Sequence, residues 1–351
     1  AFENCSGATS LTIGESVETI GIGAFSGLLN VTIASGPMSI KQFADANAST
    51  TYFHQRVLDV MVLNMTFTSI DDTTLTSTEV DNQKPSTKFI ANFDDSITTI
   101  GASAFKDERV VSIIISDNVT DIRTNAFSDC SGAINLTIGE NVDTIGISAF
   151  AACIGITSIS IPNRVTDINA SVFENCSGAT DLSFGINNVM KTIGISAFSG
   201  CDSITSISIP TLVTDISASA FENCSGAIDL SFGTNNVMKT IGVSAFSGCD
   251  SITSISIPTL VTDISASAFE NCSGAIDLSF GTNNVMKTIG VSAFAGCDSI
   301  NSISIPDSVT DINASAFENC SGAIYLTIGE SVTDINASAF ENCSGAIYLT
   351  I

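Results

Sequence analysis

Eleven cysteines are the residues of this chain most able to do chemistry, since thiolates bind zinc, attack electrophiles and pair as disulfides. Ten of them, Cys130, Cys153, Cys176, Cys201, Cys224, Cys249, Cys272, Cys297, Cys320 and Cys343, recur at intervals of 23 or 25 residues, and Cys5 lies far upstream. No C-x-x-C pair occurs, which argues against a zinc or redox motif; the thiols form a column, not a cluster. If successive periods stack at the roughly 4.8 Å of neighbouring strands, adjacent cysteines come within the Cα range of a disulfide. A cysteine repeated beside phenylalanine in an apolar row is, however, more often a small buried hydrophobe. The reading is a column of buried free thiols, with a disulfide ladder as its alternative.

Carboxylates are the second constellation. Asp121, Asp167, Asp215, Asp263, Asp311 and Asp334 share one register, and Glu174, Glu222, Glu270, Glu318 and Glu341 share another. Stacked carboxylates repel, and Ca²⁺ bridging two periods through oxygen ligands would relieve that. No EF-hand or nonapeptide calcium loop is present, so a solvated anionic face is the plainer reading, and no metal or cofactor is assigned. The third constellation is Asn-x-Ser/Thr, where Asn4, Asn118, Asn135, Asn169, Asn175, Asn223, Asn271, Asn313, Asn319, Asn336 and Asn342 are candidates for glycan attachment. Asn30, Asn47 and Asn64 complete the set. The lone histidine, His54, reads as structural or solvated. No G-x-S-x-G or Walker sequence occurs, and the glycines at 21, 23 and 27 only imitate a dinucleotide loop, because that place in other periods is ordinary.

The elements that carry these columns repeat with them. An Ala-Phe dipeptide stands three residues before each cysteine, with Val172 replacing the alanine once, and from Phe105 onward the phenylalanines recur every 22 to 25 residues. Residues 196–243 and 244–291 are identical over all 48 positions, each block holding one unit of 23 and one of 25 residues. Within one unit, Ile204, Ile207 and Ile209 fit L-x-x-L-x-L, and the period of two predicts a short strand with one buried face. Pro210 ends that strand, and Gly185, Gly233 and Gly281 hold its place in alternate units. The two extra residues of the longer units fall in an outward loop at 233–239. Phe221 and Cys224, three apart, predict one face of a short helical turn, with Glu222 and Asn223 outward. One unit cannot bury its apolar row of Ile204, Ile207, Ile209, Val213, Ile216, Phe221 and Cys224; stacked neighbours can.

This unit resembles the BspA-like branch of the leucine-rich repeat family, for Ile303-Ser304-Ile305-Pro306-Asp307-Ser308-Val309-Thr310-Asp311-Ile312 and Ala316-Phe317-Glu318-Asn319-Cys320 follow its pattern nearly position for position. The resemblance implies a right-handed solenoid of 23- and 25-residue coils, with short parallel strands, loops and short helical turns. It implies a secreted or cell-surface protein with roles in adhesion to host or matrix, and no catalytic residues. Three regions are expected: N-terminal coils over 1–43, divergent coils or a projecting insertion over 44–91, and the regular array over 92–351.

Composition bounds the function. Against 36 Asp and Glu stand 11 Lys and Arg, a net charge of −25 that repels nucleic-acid phosphates and anionic membranes. No apolar run approaches a membrane span; the stretch 110–115 has a strand's length and is broken by Ser112. Ala1 is preceded by no leader, so a signal peptide is expected to be removed or to lie outside this stretch. The same segment of the unit stands at both ends without polar caps, so the expectation is a longer array or head-to-tail self-association. Identical modules give multivalency, whereas an active site needs unlike groups converging on one point. The expected function is therefore an extracellular structural or adhesive glycoprotein, with matrix or cell-surface glycans or proteins as further partners. The alternative is a module that recognises one ligand on its strand face, where Ser206, Ser208, Asp229, Ser231, Tyr325 and Thr327 are exposed.

Overall fold

The computed structural model describes residues 64–69, 73–85, 88–106 and 109–351, together with the backbone of short strands at 10–11, 32–33 and 62–63. Asn4, Cys5, Asn30, Asn47 and His54 lie outside the described residues.

Each turn of the chain contributes one strand to each of two parallel ladders, so the molecule is a solenoid. The wide ladder is built from strands such as Ser158–Ile161 and Asp181–Phe184, paired in register with Ile159 beside Leu182. The narrow ladder uses two-residue strands, and eight of them from Asp167–Ile168 to Asp334–Ile335 pair without interruption. The wide ladder is cut into blocks, Ser206–Ser208 with Asp229–Ser231 and Ser254–Ile257 with Asp277–Phe280; three of the cuts span a coil of 25 residues, and the first, between Asn135–Thr137 and Ser158–Ile161, spans one of 23. Across a cut one bond persists, as from Thr205 N–H to Thr180 C=O at 3.1 Å.

The Phe–Cys segment reaches its expected burial by another route. Phe221 and Cys224 are fully buried and Asn223 is exposed, but the segment is a pair of turns and not a helical one. Ser219 (φ 55°) and Asn223 (φ 59°) occupy the left-handed region, which no α-helix tolerates. Their backbone N–H groups, with that of Phe221, donate to Val243, Ser247 and Ala245 of the next coil at 2.8 Å. These bonds form a third ladder that closes the coil.

Inside, the phenylalanines stack coil on coil. Phe221 lies between Phe198 and Phe246, with ring centroids 5.2 and 5.4 Å away and planes within 7° and 2° of parallel. Each longer coil carries a second ring, Phe184, Phe232 or Phe280, set edge-on to this stack at 6.0–6.4 Å. Burying a phenylalanine stabilises by about 1.5–3 kcal/mol, and that gain recurs in every coil.

Upstream, strands Val62–Phe67 and Phe89–Phe93 continue the wide ladder into Val110–Ile114, with a register shift between Phe89 and Ile90. The coil between them carries a helix, Ser77–Gln83. Its N-terminus is a capping box, in which the Thr76 hydroxyl accepts from Glu79 N–H at 3.3 Å and the Glu79 carboxylate accepts from Thr76 N–H at 2.8 Å.

Candidate functional surfaces

The thiol column is internal. Nine cysteines from Cys130 to Cys320 are fully buried and Cys343 is half-buried, and all ten are free thiols. The Cys224 thiol donates to the Phe198 carbonyl of the preceding coil at 3.2 Å, and this contact recurs at 3.1–3.3 Å from Cys153 to Cys343. The same carbonyl takes Cys201 N–H at 3.2 Å, so the thiol fills its second acceptor site. That supplies a reason for cysteine where alanine would also fit. Burial pushes the Cys176 thiol up to about 12 and raises Cys201 well above the ordinary range. Cys224 is also raised, first by its hydrogen bond with Cys249 and then by burial. Such thiols are poor nucleophiles and poor metal ligands at neutral pH.

The acidic columns are diluted by what lies between them. Asp167, Asp215, Asp263 and Asp311 alternate with Thr192, Thr240 and Thr288, so carboxylates face each other only across two coils. Asp311 and Asp334 are the adjacent pair. Each carboxylate instead accepts from the threonine before it, as Asp263 does from Thr262 at 2.7 Å. The glutamate row alternates likewise, with Ser199, Ser247 and Ala295 between its members. Among the described residues no three His, Cys, Asp or Glu side chains converge as metal ligands.

The sequon asparagines fall into two groups. Asn169 and Asn336 spend their amides on the preceding coil, donating to Ile145 and Ile312 C=O at 2.7 and 3.1 Å, and Asn169 and Asn313 are only partly exposed. Asn118, Asn135, Asn175, Asn223, Asn271, Asn319 and Asn342 are exposed. Of these, the last five hold φ between 58 and 61°, the left-handed conformation that asparagine and glycine tolerate best. In the coils between, Gly200, Gly248 and Gly296 take the same place at φ 71–74°. A Cβ on Gly248 would stand 2.4 Å from the Asn223 Oδ1 of the coil before, so each asparagine is seated on the glycine of its neighbour. Where two such asparagines adjoin, Asn342 donates to Asn319 at 2.9 Å.

This asparagine and glycine row forms one wall of a groove of about 940 Å³ that runs along the solenoid from Asn175 to Asn342. Its other wall alternates serine with aspartate, as in Asp202, Ser225, Asp250, Ser273 and Asp298. The groove can offer amides, hydroxyls and carboxylates in identical surroundings every 48 residues. It is invisible until the 23- and 25-residue units are aligned with their gap. The strand face also holds an unexpected aromatic pair, Tyr325 and Tyr348, stacked at 5.0 Å and more than half exposed. Their 23-residue separation was its only signal in the sequence.

Comparison with known proteins places this geometry. The family described as BspA type Leucine rich repeat region matches residues 1–90, 98–228, 178–286 and 230–347. A leucine-rich repeat protein from Bacteroides ovatus is similar in structure, with TM-score 0.66 and 21% identity over 98% of this chain and 79% of that one. A leucine rich cell surface protein from Faecalibacterium prausnitzii is 25% identical, with TM-score 0.49 over 82% of this chain and 87% of that one. A search of the curated proteins finds no match.

Proposed function

Since the chain belongs to the BspA-type leucine-rich repeat family, we propose that it is a non-catalytic rod of the cell surface or extracellular space, adhesive or structural in role. The observation that carries this reading is the groove. Its polar groups recur in identical surroundings every second coil, so a ligand that fits one block fits the next, and avidity accumulates without any new contact. Among the described residues no helix is long and apolar enough to cross a membrane, and attachment to a surface would need another device. Glycans on the exposed asparagines, Asn118, Asn135 and the groove-lining Asn175, Asn223, Asn271, Asn319 and Asn342, belong to the same proposal. So does head-to-tail stacking of one copy on another, in which parallel pairing of the kind that joins Tyr348–Thr350 to Tyr325–Thr327 would run from rod to rod.

The test is a deletion of residues 244–291, which removes one block and leaves every remaining coil with a neighbour of the same sequence as before. Attachment of chain-coated beads to matrix or to cell-surface glycans should weaken steeply with each block lost, while the affinity of a single contact stays constant. Attachment indifferent to block number would refute the multivalent reading. That outcome would favour a second one, recognition of a single ligand at the stacked Tyr325 and Tyr348 on the strand face. Aromatic side chains anchor such interfaces.

A further inference from the structure

Opposite in character to the polar groove is a short apolar row at the outer turn. Val189, Leu212, Leu260 and Val285 are 42–49% exposed, and Val237 completes the row over five consecutive coils. The same position is polar elsewhere, Asn141 and Arg164 before the row and Ser308 and Ser331 after it. Two residues further along each longer coil stands a lysine, Lys191, Lys239 or Lys287, exposed and in no ion pair among the described residues. Lys287 touches only a backbone carbonyl, that of Ser308 at 3.2 Å. Unpaired lysines beside exposed Leu and Val are out of place on a chain of net charge −25. From residue 109 onward the lysines, Lys191, Lys239 and Lys287, stand only in the longer coils, and the facing aspartates of the narrow ladder, Asp215, Asp263 and Asp311, only in the shorter ones. The longer coils also project the loop at 233–236, and between successive loops lies a recess of about 560 Å³ floored by Pro258 and Thr259.

We propose that this row is a lateral docking surface for a second copy of the same chain, running antiparallel. The two-fold axis lies across the rod, between the coils of Val237 and Leu260. Every longer coil then faces a shorter one, because the symmetry exchanges the two kinds. Val237 meets Leu260 of the second copy and Leu212 meets its Val285, small against large. Lys239 faces Asp263 of the second copy, Lys287 faces its Asp215, and Lys191 faces its Asp311, each pair about 10 Å from the next along the rod. The projecting loop of one rod enters the recess over the shorter coil of the other. No other stagger serves all three lysines with all three aspartates. The contact is isologous and therefore stops at two. The apolar row alone is much smaller than the roughly 800 Å² per partner of a stable complex, so the dimer is expected to be weak and salt-sensitive. It is independent of what the rod adheres to.

Sedimentation equilibrium of the full chain at low and physiological salt tests it. The expected result is a reversible monomer–dimer equilibrium, weakened about tenfold or more by Lys239→Glu and by Asp263→Lys alike. A chain carrying Lys191→Glu, Lys239→Glu and Lys287→Glu, mixed with one carrying Asp215→Lys, Asp263→Lys and Asp311→Lys, should recover a heterodimer that neither forms alone. Circular dichroism of each variant guards against misfolding, and a variant that fails it is replaced by the single reversals. A monomer at every concentration in low salt, dimerisation indifferent to both reversals, or swapped chains that fail to pair would each overturn the proposal. Assembly beyond the dimer that survives all the charge reversals would mean end-to-end stacking instead, and would overturn it too.

Discussion

Columns inside the solenoid and columns on its surface obey different periods. Phenylalanine repeats in every coil from Phe105 and cysteine in every coil from Cys130, whereas asparagine with glycine, aspartate with threonine, and lysine with threonine alternate on the surface from one coil to the next. The interior can repeat at every step because parallel rings and S–H···O=C bonds are satisfied by a copy of themselves. On the surface alternation keeps carboxylates apart and sets each αL asparagine on a glycine, and like lies on like only toward the C-terminal end, at Asp311 with Asp334 and at Asn319 with Asn342. What reads as a single repeat is therefore two, a one-coil core wrapped in a two-coil exterior.

The largest effect should come from the whole thiol column. A thiol held as Cys176 is, with its folded value about 12 against 9.0 unfolded, contributes stability that is fully present below pH 9. That stability is lost as pH rises through 12, since the unfolded chain releases protons that the folded chain retains. Three pH units amount to about 4 kcal/mol per thiol at most. Denaturant midpoints between pH 8 and 11 should fall steeply, and Cys176→Ala should flatten the slope; an unchanged slope in that variant would contradict the assignment. A single core vacancy comes next. Phe221→Ala removes the ring between Phe198 and Phe246 and should cost about 3–5 kcal/mol. Calorimetry should show the array divide into two transitions.

Surface seating should matter less. Gly248→Ala strains a residue at φ 72° and presses a Cβ on Asn223, for about 1–2 kcal/mol. Adding Asn223→Ala should recover the steric part, so a double-mutant cycle showing strict additivity would deny the seating. Smallest is Thr240→Asp, which sets a third carboxylate between Asp215 and Asp263 and so breaks the alternation. It should cost about 0.2–1 kcal/mol at low salt and nothing measurable in molar salt.

Phe221 and Ile207 were legible as core from spacing alone, because burial on one face leaves a period in the sequence. The turn at 219–223 was not, since a three-residue separation fits a helix and a pair of αL turns equally well, and φ leaves no trace in spacing. The helix Ser77–Gln83 announced itself in Thr76 and Glu79, a capping box in a stretch that carries no Ala-Phe landmark. Lys239 and the groove stayed hidden for a different reason. Their meaning depends on which residues lie across from them in the neighbouring coil, and a linear reading does not align one coil on the next.

The seating of Asn223 on Gly248 also sets a rule for how such a gene can lengthen. Duplication of 48 residues inserts an asparagine coil together with the glycine coil that receives it, so every contact at the junction already exists in the parent. Duplication of a single 23-residue coil lays asparagine on asparagine, as at Asn319 and Asn342, where one hydrogen bond makes the junction tolerable. Rods of this kind should therefore change length in steps of two coils, about 10 Å each, with single-coil steps admitted where an amide can bridge to an amide.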